Sequence, residues 1–184
     1  KGKGFGKRLG SLSIEKIRND GFENITLINY LTSIGTSSNL TNEINTNTLL
    51  SSFNISNISS SSPKFSIDTL SLLNKEILQK YDFKDVKDSF SNLGIKTSSE
   101  FWNFVKNNIN FLSDSLEWKK IIDSNDVYES LDKELLIQAL KLLPDAPFTV
   151  DTWDIWTSLI KDKTGKNGKE LYMPLRVALT GRQK

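Results

Sequence analysis

The sequence predicts a mostly α-helical protein. Residues that favour helix N-caps (Ser, Thr, Asp and Asn) recur every ten to twenty residues along the 184-residue chain. Behind them, apolar residues return at intervals of three and four, the spacing of one helix face. No segment of useful length alternates apolar and polar residues as a half-buried strand would. We therefore expect helices that bury their apolar faces against one another.

The first two helices are bounded by capping residues and glycines. Ser13 predicts the N-cap of a short helix over residues 14–20, and Gly21 its end. A second helix is predicted to begin at residue 23 or 24 and to close at Gly35. Its apolar residues are spaced for packing in a core, which would hold the preceding segment in place.

The segment from residue 36 to residue 62 is rich in Ser, Thr and Asn. Its apolar residues predict one amphipathic helix around Leu49, Leu50 and Phe53. The serine run before Pro63 is typical of a loop. A flexible linker between domains is one interpretation of such a composition, and a surface excursion within one domain is the other.

Three N-cap signals follow in the middle of the chain. Ser66 predicts a helix over residues 67–80, and Asp82 a helix over residues 83–92. Thr97 and Glu100 have the spacing of a capping box. Trp102 lies off the apolar stripe of the helix predicted behind that box, so we expect it to be exposed.

The last part of the chain predicts three further helices. The first is capped by Asp132 and runs to Leu143, and the second begins at Thr149. Trp153 and Trp156 are predicted to face inward from that second helix. The third covers residues 168–179, and Pro174 is expected to kink or interrupt it, or to lie near its beginning.

Composition excludes several kinds of chemistry. The chain has no cysteine and no histidine, which rules out disulfides, Cys/His zinc sites and nucleophile–histidine catalysis within it. The absence of disulfides is consistent with the cytoplasm. No apolar run is long enough to cross a bilayer. We expect a cytoplasmic protein without a membrane segment and without a metal site.

The net charge of +2 is unevenly distributed. Residues 1–18 carry six cations and one acid, and residues 161–184 carry seven cations and two acids. The residues between them carry eleven cations and nineteen acids. Cations at the two ends of an otherwise acidic chain are consistent with binding to a polyanion through a few separate contacts. The alternative is an ordinary solvated surface, and the charge distribution by itself favours this alternative.

Residues 2–11 combine four glycines with three cations. Glycine opens backbone conformations that are closed to other residues. A cationic, glycine-rich loop ahead of a helix N-terminus can approach phosphates closely. A disordered basic tail has the same composition, so the pattern by itself leaves both readings open.

Four segments resemble one family in the same order. Gly4–Ser13 resembles the second signature loop of glutamyl-tRNA synthetases, the class I KMSKS loop in its KLSKR-x-G form. Phe22–Gly35, Phe65–Tyr81 and Gly168–Gly181 are similar to later segments of that family, and the last, GKELYMPLRVALTG, is the most specific. The chain is therefore identified as a member of this family. It begins inside the loop, and we expect it to be a C-terminal fragment.

The resemblance implies a role for the loop. Lys7 would stabilise the phosphates of ATP while the glutamate carboxylate attacks the α-phosphate, and Arg8 and Gly6 would complete the ATP-binding loop. ATP with Mg²⁺ would be the cofactor of the parent enzyme, a glutamate–tRNA ligase. The other family signature, HIGH, and the fold that carries it are absent from this sequence. The fragment alone is expected to bind no cofactor and to be inactive.

The resemblance also implies two domains and an RNA partner. Residues 1–81 would hold the loop and a stem-contact domain, and residues 82–184 a helical anticodon-binding domain truncated at its C-terminal end. The partners would be tRNA for glutamate, with tRNA for glutamine as a second candidate, and the catalytic domain of the same chain. We expect a monomer.

Six cations are candidate tRNA contacts. Four surround the last predicted helix and would contact the anticodon arm, and two near the N-terminus would contact the inner corner of the tRNA. They are Lys166, Lys169, Arg176 and Arg182, and Lys16 and Arg18. A solvated cationic helix end explains the first four equally well. A non-catalytic helical module that binds RNA or protein is the alternative function.

Overall fold

The computed structural model describes residues 12–37, 39–124 and 132–182. Within these ranges the chain forms ten α-helices and two short 3₁₀ turns, at Ile55–Asn57 and Leu112–Asp114. The helices are α1 Ile14–Asn19, α2 Asn24–Ser33, α3 Thr46–Ser52, α4 Ile67–Lys80, α5 Phe83–Asn92, α6 Ser99–Val105, α7 Ser115–Asp123, α8 Lys133–Lys141, α9 Thr152–Thr164 and α10 Gly168–Thr180. The described residues contain no strand, only one isolated bridge between Thr36 and Ile58. The predicted mostly α fold is confirmed.

The chain divides into two compact units, the first ending at Ile122 and the second beginning at Asp123. The boundary predicted between Tyr81 and Asp82 lies inside the first unit. There it falls close to the point where one hydrophobic cluster gives way to the next, since Tyr81 packs against both. As a division between two functional domains, this boundary stays a prediction.

The first hydrophobic cluster of the first unit joins α1–α4. Its members are Ile17, Phe22, Ile25, Tyr30, Leu49, Leu70, Leu73 and Ile77. Two edge-to-face ring pairs extend this cluster. The ring centroids of Phe22 and Phe111 are 4.9 Å apart, and those of Tyr30 and Phe65 are 5.0 Å apart. Helix α3 contributes only Leu49, while Leu50 and Phe53 are exposed. The two longer helices, α2 and α4, therefore carry most of this core.

Buried polar side chains also join these helices. The side chain of Asn29, within α2, is fully buried. Its amide nitrogen donates to the backbone oxygens of Ile25 and Glu43, both at 2.8 Å. Its oxygen accepts from the Thr41 hydroxyl at 3.0 Å and from the Glu43 backbone N–H at 2.9 Å. The serine- and threonine-rich segment is thereby fastened to α2, as a surface excursion within this unit.

The second cluster of the first unit is built around Trp102. This side chain is fully buried, and its Nε1 donates to the backbone oxygen of Tyr81 at 2.8 Å. The expectation that Trp102 is exposed is wrong, because α6 packs its ring against Phe90 of α5 and against the backbone at Tyr81. The N-cap of α6 is Ser98, one residue later than the capping box predicted. Phe104 is the exposed aromatic residue of α6 instead, at 53%.

The second unit contains α8, α9 and α10 around a small core. Ile160, Leu171 and Leu175 are buried almost completely. Trp156 is buried as predicted, and its Nε1 donates to the backbone oxygen of Ala139 at 2.7 Å. Trp153, predicted to face inward, remains 40% exposed. Helix α10 continues through Pro174 to Thr180, so the proline does not end it.

Candidate nucleic-acid interface

Gly6, Lys7 and Arg8, the residues predicted to bind ATP, lie outside the described residues. The described residues begin at Leu12, two residues before α1. Ser13 caps this helix as predicted, because its Oγ accepts the backbone N–H of Lys16 at 3.0 Å. Ile17 anchors α1 in the first hydrophobic cluster with 6% exposure. Any segment that precedes Leu12 is thus joined to a helix fixed in the core.

Lys16 and Arg18, the two predicted contacts near the N-terminus, are both exposed on α1. They lie on either side of the buried Ile17, so α1 does not bring them together on one face. Lys16 forms an ion pair with Asp20 across one helical turn, at 3.1 Å. An exposed pair of this kind contributes little to stability, so Lys16 is free to exchange Asp20 for another anion.

Lys166 is the most constrained of the four cations in the second unit. Its Nζ forms an ion pair with the carboxylate of Asp132, the N-cap residue of α8. The hydrogen bond from Lys166, followed by one from the backbone N–H of Leu135, lowers the pKa of the Asp132 carboxyl. The pair joins the segment before α10 to the start of α8. Lys166 therefore has a structural role that sequence reasoning did not anticipate.

Lys169 and Arg176 lie on one exposed face of α10. Their separation of seven residues places the two side chains about 20° apart around the helix axis. Tyr172, 46% exposed, lies between them at positions i+3 and i−4. The structure thus brings two of the predicted cations together with an aromatic side chain that the sequence did not single out.

Arg182 follows the C-terminal end of α10 and is exposed. Gly181 ends the helix in the left-handed conformation, with φ of 68°. Helix α10 spans about 20 Å from end to end. Lys166 precedes this helix and Arg182 follows it, so only Lys169 and Arg176 are placed on one face of α10 by helical spacing.

Trp153, on α9, continues this surface next to Tyr172. The two ring centroids are 6.4 Å apart and the ring planes are inclined by 31°. Sequence periodicity placed Trp153 on the apolar face of α9, and one side of its ring does contact the buried Trp156. Periodicity could not show that Trp153 lies in the first turn of α9 and that its ring is only partly covered there.

Two resolved pKa shifts lie elsewhere, at Glu23 before α2 and at Tyr81 after α4. Burial raises the pKa of the Glu23 carboxyl, and a hydrogen bond with the Tyr81 side chain opposes that rise. Burial also raises the pKa of the Tyr81 hydroxyl. Tyr81 therefore stays protonated at neutral pH and can donate to Glu23.

The described ranges contain neither a metal-binding cluster nor a membrane-spanning helix. No group of three or more His, Cys, Asp or Glu side chains is arranged there to hold a metal ion. Among the helices of the same residues, none combines the length and the apolar character needed to cross a membrane.

Comparison with known proteins gives sequence relatives along nearly the whole chain. Glutamate–tRNA ligase 2 of Bartonella tribocorum is 37% identical over 98% of the chain. Glutamate–tRNA ligase 1 of Bartonella quintana is also 37% identical over 98% of the chain, and glutamate–tRNA ligase 2 of Mesorhizobium japonicum 35% over the same share. No family model matches. The chain spans about 40% of the length of these relatives.

A solved structure has a similar fold. The crystal structure of the glutamate–tRNA synthetase from Elizabethkingia anophelis matches 98% of this chain and 39% of its own, with a TM-score of 0.67 and 17% sequence identity. Sequence and fold together define the chain as a homologue of aminoacyl-tRNA synthetases. Within that class it is homologous to the glutamate–tRNA ligases, and the family predicted from the four segments is confirmed.

Proposed function

We propose that the chain is the tRNA-binding part of a glutamate–tRNA ligase. The observation that carries this proposal is the match to glutamate–tRNA ligases over 98% of the chain, which includes both compact units. The exposed face of α10 supports it, because Lys169 and Arg176 present two cations to solvent on one side of the helix. Cations spaced along a helix suit the phosphates of an RNA backbone.

The proposed activity of the whole ligase is the attachment of glutamate to tRNA at the expense of ATP. Lys7 and Arg8 would place positive charge beside the ATP phosphates, and Gly6 would let the backbone approach them. ATP, with Mg²⁺, would supply the adenylyl group that activates the glutamate carboxylate, and pyrophosphate would be the leaving group. This part of the proposal rests on the sequence resemblance of residues 4–13, since Gly6, Lys7 and Arg8 lie outside the described residues.

The proposed partners follow from the family. They are tRNA for glutamate, with tRNA for glutamine as a second candidate, and a catalytic domain of the same ligase. We place the protein in the cytoplasm as a monomer. Residues 1–81 would hold the ATP loop and contact a stem of the tRNA, and residues 82–184 would contact the anticodon arm.

Equilibrium binding of the 184-residue chain to RNA tests this function. Binding to tRNA for glutamate is compared with binding to a paired RNA of equal length, over a series of salt concentrations. We expect tighter binding to the tRNA and an affinity that falls as salt rises, because phosphate contacts release counterions. Equal affinity for both RNAs at low salt would reject the proposal and favour a helical module without a tRNA partner.

A further inference from the structure

We infer that a cavity beside the C-terminal end of α5 binds a small organic anion with a flat apolar body, of the class of aromatic carboxylates. The cavity has a volume of about 380 Å³, within the usual range of small-molecule sites in proteins. Its walls come from α5 and from the segment that joins α5 to α6, so it lies inside the first unit. The inference goes beyond the proposed function, because it requires neither RNA nor ATP.

Three apolar side chains form one wall of the cavity. Phe83 and Phe90 lie seven residues apart on α5, with ring centroids 6.5 Å apart and ring planes inclined by 33°. Ile95, from the joining segment, completes this wall. Phe90 is held in place by Trp102, whose ring it meets edge to face with centroids 5.8 Å apart. Fixed rings lose little conformational freedom when a flat apolar ligand packs against them.

A glycine turn holds the joining segment against α5. Helix α5 ends in a Schellman motif, in which Gly94 takes the left-handed conformation with φ of 73°. The backbone N–H of Ile95 donates to the backbone oxygen of Phe90 at 2.9 Å. The backbone N–H of Gly94 donates to the backbone oxygen of Ser91 at 3.0 Å. The cavity between α5 and residues 95–97 is therefore formed before a ligand binds.

The charge at the cavity is positive. Lys87 of α5 and Lys96 of the joining segment both border it, and both are exposed. Neither ammonium group has an ion-pair partner among the described residues. None of the described residues that line the cavity carries a carboxylate. Two unpaired cations beside an apolar wall favour an anion over a neutral ligand, because charged hydrogen bonds to a carboxylate are stronger than neutral ones.

The Thr97 hydroxyl points to a ligand. Its Oγ1 is buried and has no hydrogen-bond partner within the part of the chain that the structure describes. Ser98 is the N-cap residue of α6, so the helix does not use this hydroxyl. A buried polar group without a partner is uncommon and calls for an explanation. Thr97 borders the cavity, and rotation about its Cα–Cβ bond would turn the hydroxyl toward a bound carboxylate, to which it would donate.

Titration of the isotope-labelled 184-residue chain with cinnamate, followed by amide NMR spectra, tests this site. The amide resonances of Ser91 and of residues 94–97 should shift and should saturate. Cinnamyl alcohol has the same ring without the charge, and it should bind at least about fivefold more weakly. The inference is overturned if these amides show no saturable shift, or if cinnamate saturates amides elsewhere instead.

Thr97→Val separates a ligand-binding hydroxyl from a structural one. The variant keeps the branched shape and should weaken cinnamate binding about fivefold or more. The melting temperature of the free chain should stay the same or rise, since an unpaired buried hydroxyl is removed. Thr97→Ser keeps the hydroxyl and should bind cinnamate within about twofold of the unaltered chain. A lower melting temperature with unchanged cinnamate binding would show that the hydroxyl serves only the fold.

Lysine variants test the charge at the cavity. Lys87→Met and Lys96→Met should each weaken cinnamate binding about threefold or more. Lys120→Met, at an exposed lysine of α7 that does not border the cavity, is the matched control and should leave binding unchanged. Equal effects of all three substitutions would reveal a general attraction of anions to the surface and would reject the site.

Failure of this inference differs from failure of the proposed function. If tRNA shifts the amides of residues 94–97 and cinnamate does not, the cavity belongs to the RNA surface and only the inference is rejected. If cinnamate binds as expected and the chain binds no RNA, the proposed function is rejected and the site remains.

Discussion

The side-chain oxygen of Asn74 accepts a hydrogen bond from the hydroxyl of Thr26 at 2.9 Å, in a region from which solvent is excluded. The same oxygen accepts the backbone N–H of Glu23 at 2.9 Å. The amide nitrogen of Asn74 donates to the backbone oxygen of Asn110 at 2.7 Å. One side chain in the middle of α4 thus holds the N-terminus of α2 and the segment before a 3₁₀ turn.

Replacement of Asn74 should destabilise the first unit. Asn74→Ala leaves the buried hydroxyl of Thr26 without its acceptor and also removes the partner of the half-buried Glu23 backbone N–H, which should cost about 2–4 kcal/mol. The measurements are the urea midpoint and hydrogen exchange of the α2 amides. Asn92→Ala, at the exposed end of α5, is the matched control and should change neither. Unchanged exchange in α2 of the Asn74 variant would contradict the structural role.

The helix boundaries could be predicted where their signals are local. Ser13, Ser66 and Asp132 cap their helices through backbone N–H groups only three residues away, so the sequence contains the whole interaction. The environment of Trp102 could not be predicted in this way. Its hydrogen-bond partner, the backbone oxygen of Tyr81, lies 21 residues away and is brought close only by the packing of α4, α5 and α6.

The candidate site was predicted in part for the same reason. The shared face of Lys169 and Arg176 follows from helical spacing alone. The pairing of Lys166 with Asp132 joins residues 34 apart in sequence. The contact of Trp153 with Tyr172 joins two helices. Both depend on the tertiary fold of the second unit, and periodicity carries no information about them.

Glu23 should make the stability of the chain depend on pH. Burial raises the pKa of its carboxyl above 4.5 in the folded state. The folded state then holds the proton more tightly, so the stabilisation is complete below pH 4.5 and is lost as pH rises through the folded pKa. Glu23→Gln should remove this dependence, as measured by urea unfolding at several pH values.

Tyr81→Phe provides a second test of the same pair. It removes the hydrogen bond that opposes the rise in the pKa of Glu23. The loss of stability with rising pH should therefore move to higher pH. Glu134→Gln, an exposed site on α8, is the control for a change of one charge. An identical pH profile for Glu23→Gln and the unaltered chain would show that the Glu23 carboxyl is not the group responsible.

Asp132 should stabilise the second unit in the opposite pH range. The hydrogen bond from Lys166 lowers the pKa of its carboxyl, so its contribution is complete above pH 3.8 and is lost as pH falls through the folded pKa. Asp132→Ala removes the N-cap of α8 and should cost about 1 kcal/mol at neutral pH. Asp132→Asn keeps a capping oxygen and should cost less. Thermal unfolding followed by circular dichroism, with Asp162→Asn as the control, decides whether the charge or the cap matters.

Lys7 can be tested only in the full-length ligase. Lys7→Ala should slow the formation of glutamyl-adenylate from glutamate and ATP, because the variant lacks a positive charge at the ATP phosphates. Pyrophosphate exchange measures that step. Binding of tRNA should not change, which separates the loop from the RNA surface. An unaltered rate of exchange would reject the catalytic role of Lys7.

The predicted cations of the second unit should divide into two kinds when RNA binding is measured. Lys169→Ala and Arg176→Ala each remove an exposed charge, and each should reduce the slope of log affinity against log salt concentration by about 1. Lys166→Ala should change that slope less, because the Lys166 ammonium is already paired with Asp132. Its main effect should be lower stability of the second unit.

If Lys166→Ala reduces the slope as much as Arg176→Ala does, then Lys166 exchanges Asp132 for a phosphate when RNA binds. In that case the ion pair between Lys166 and Asp132 exists only in the protein without bound RNA.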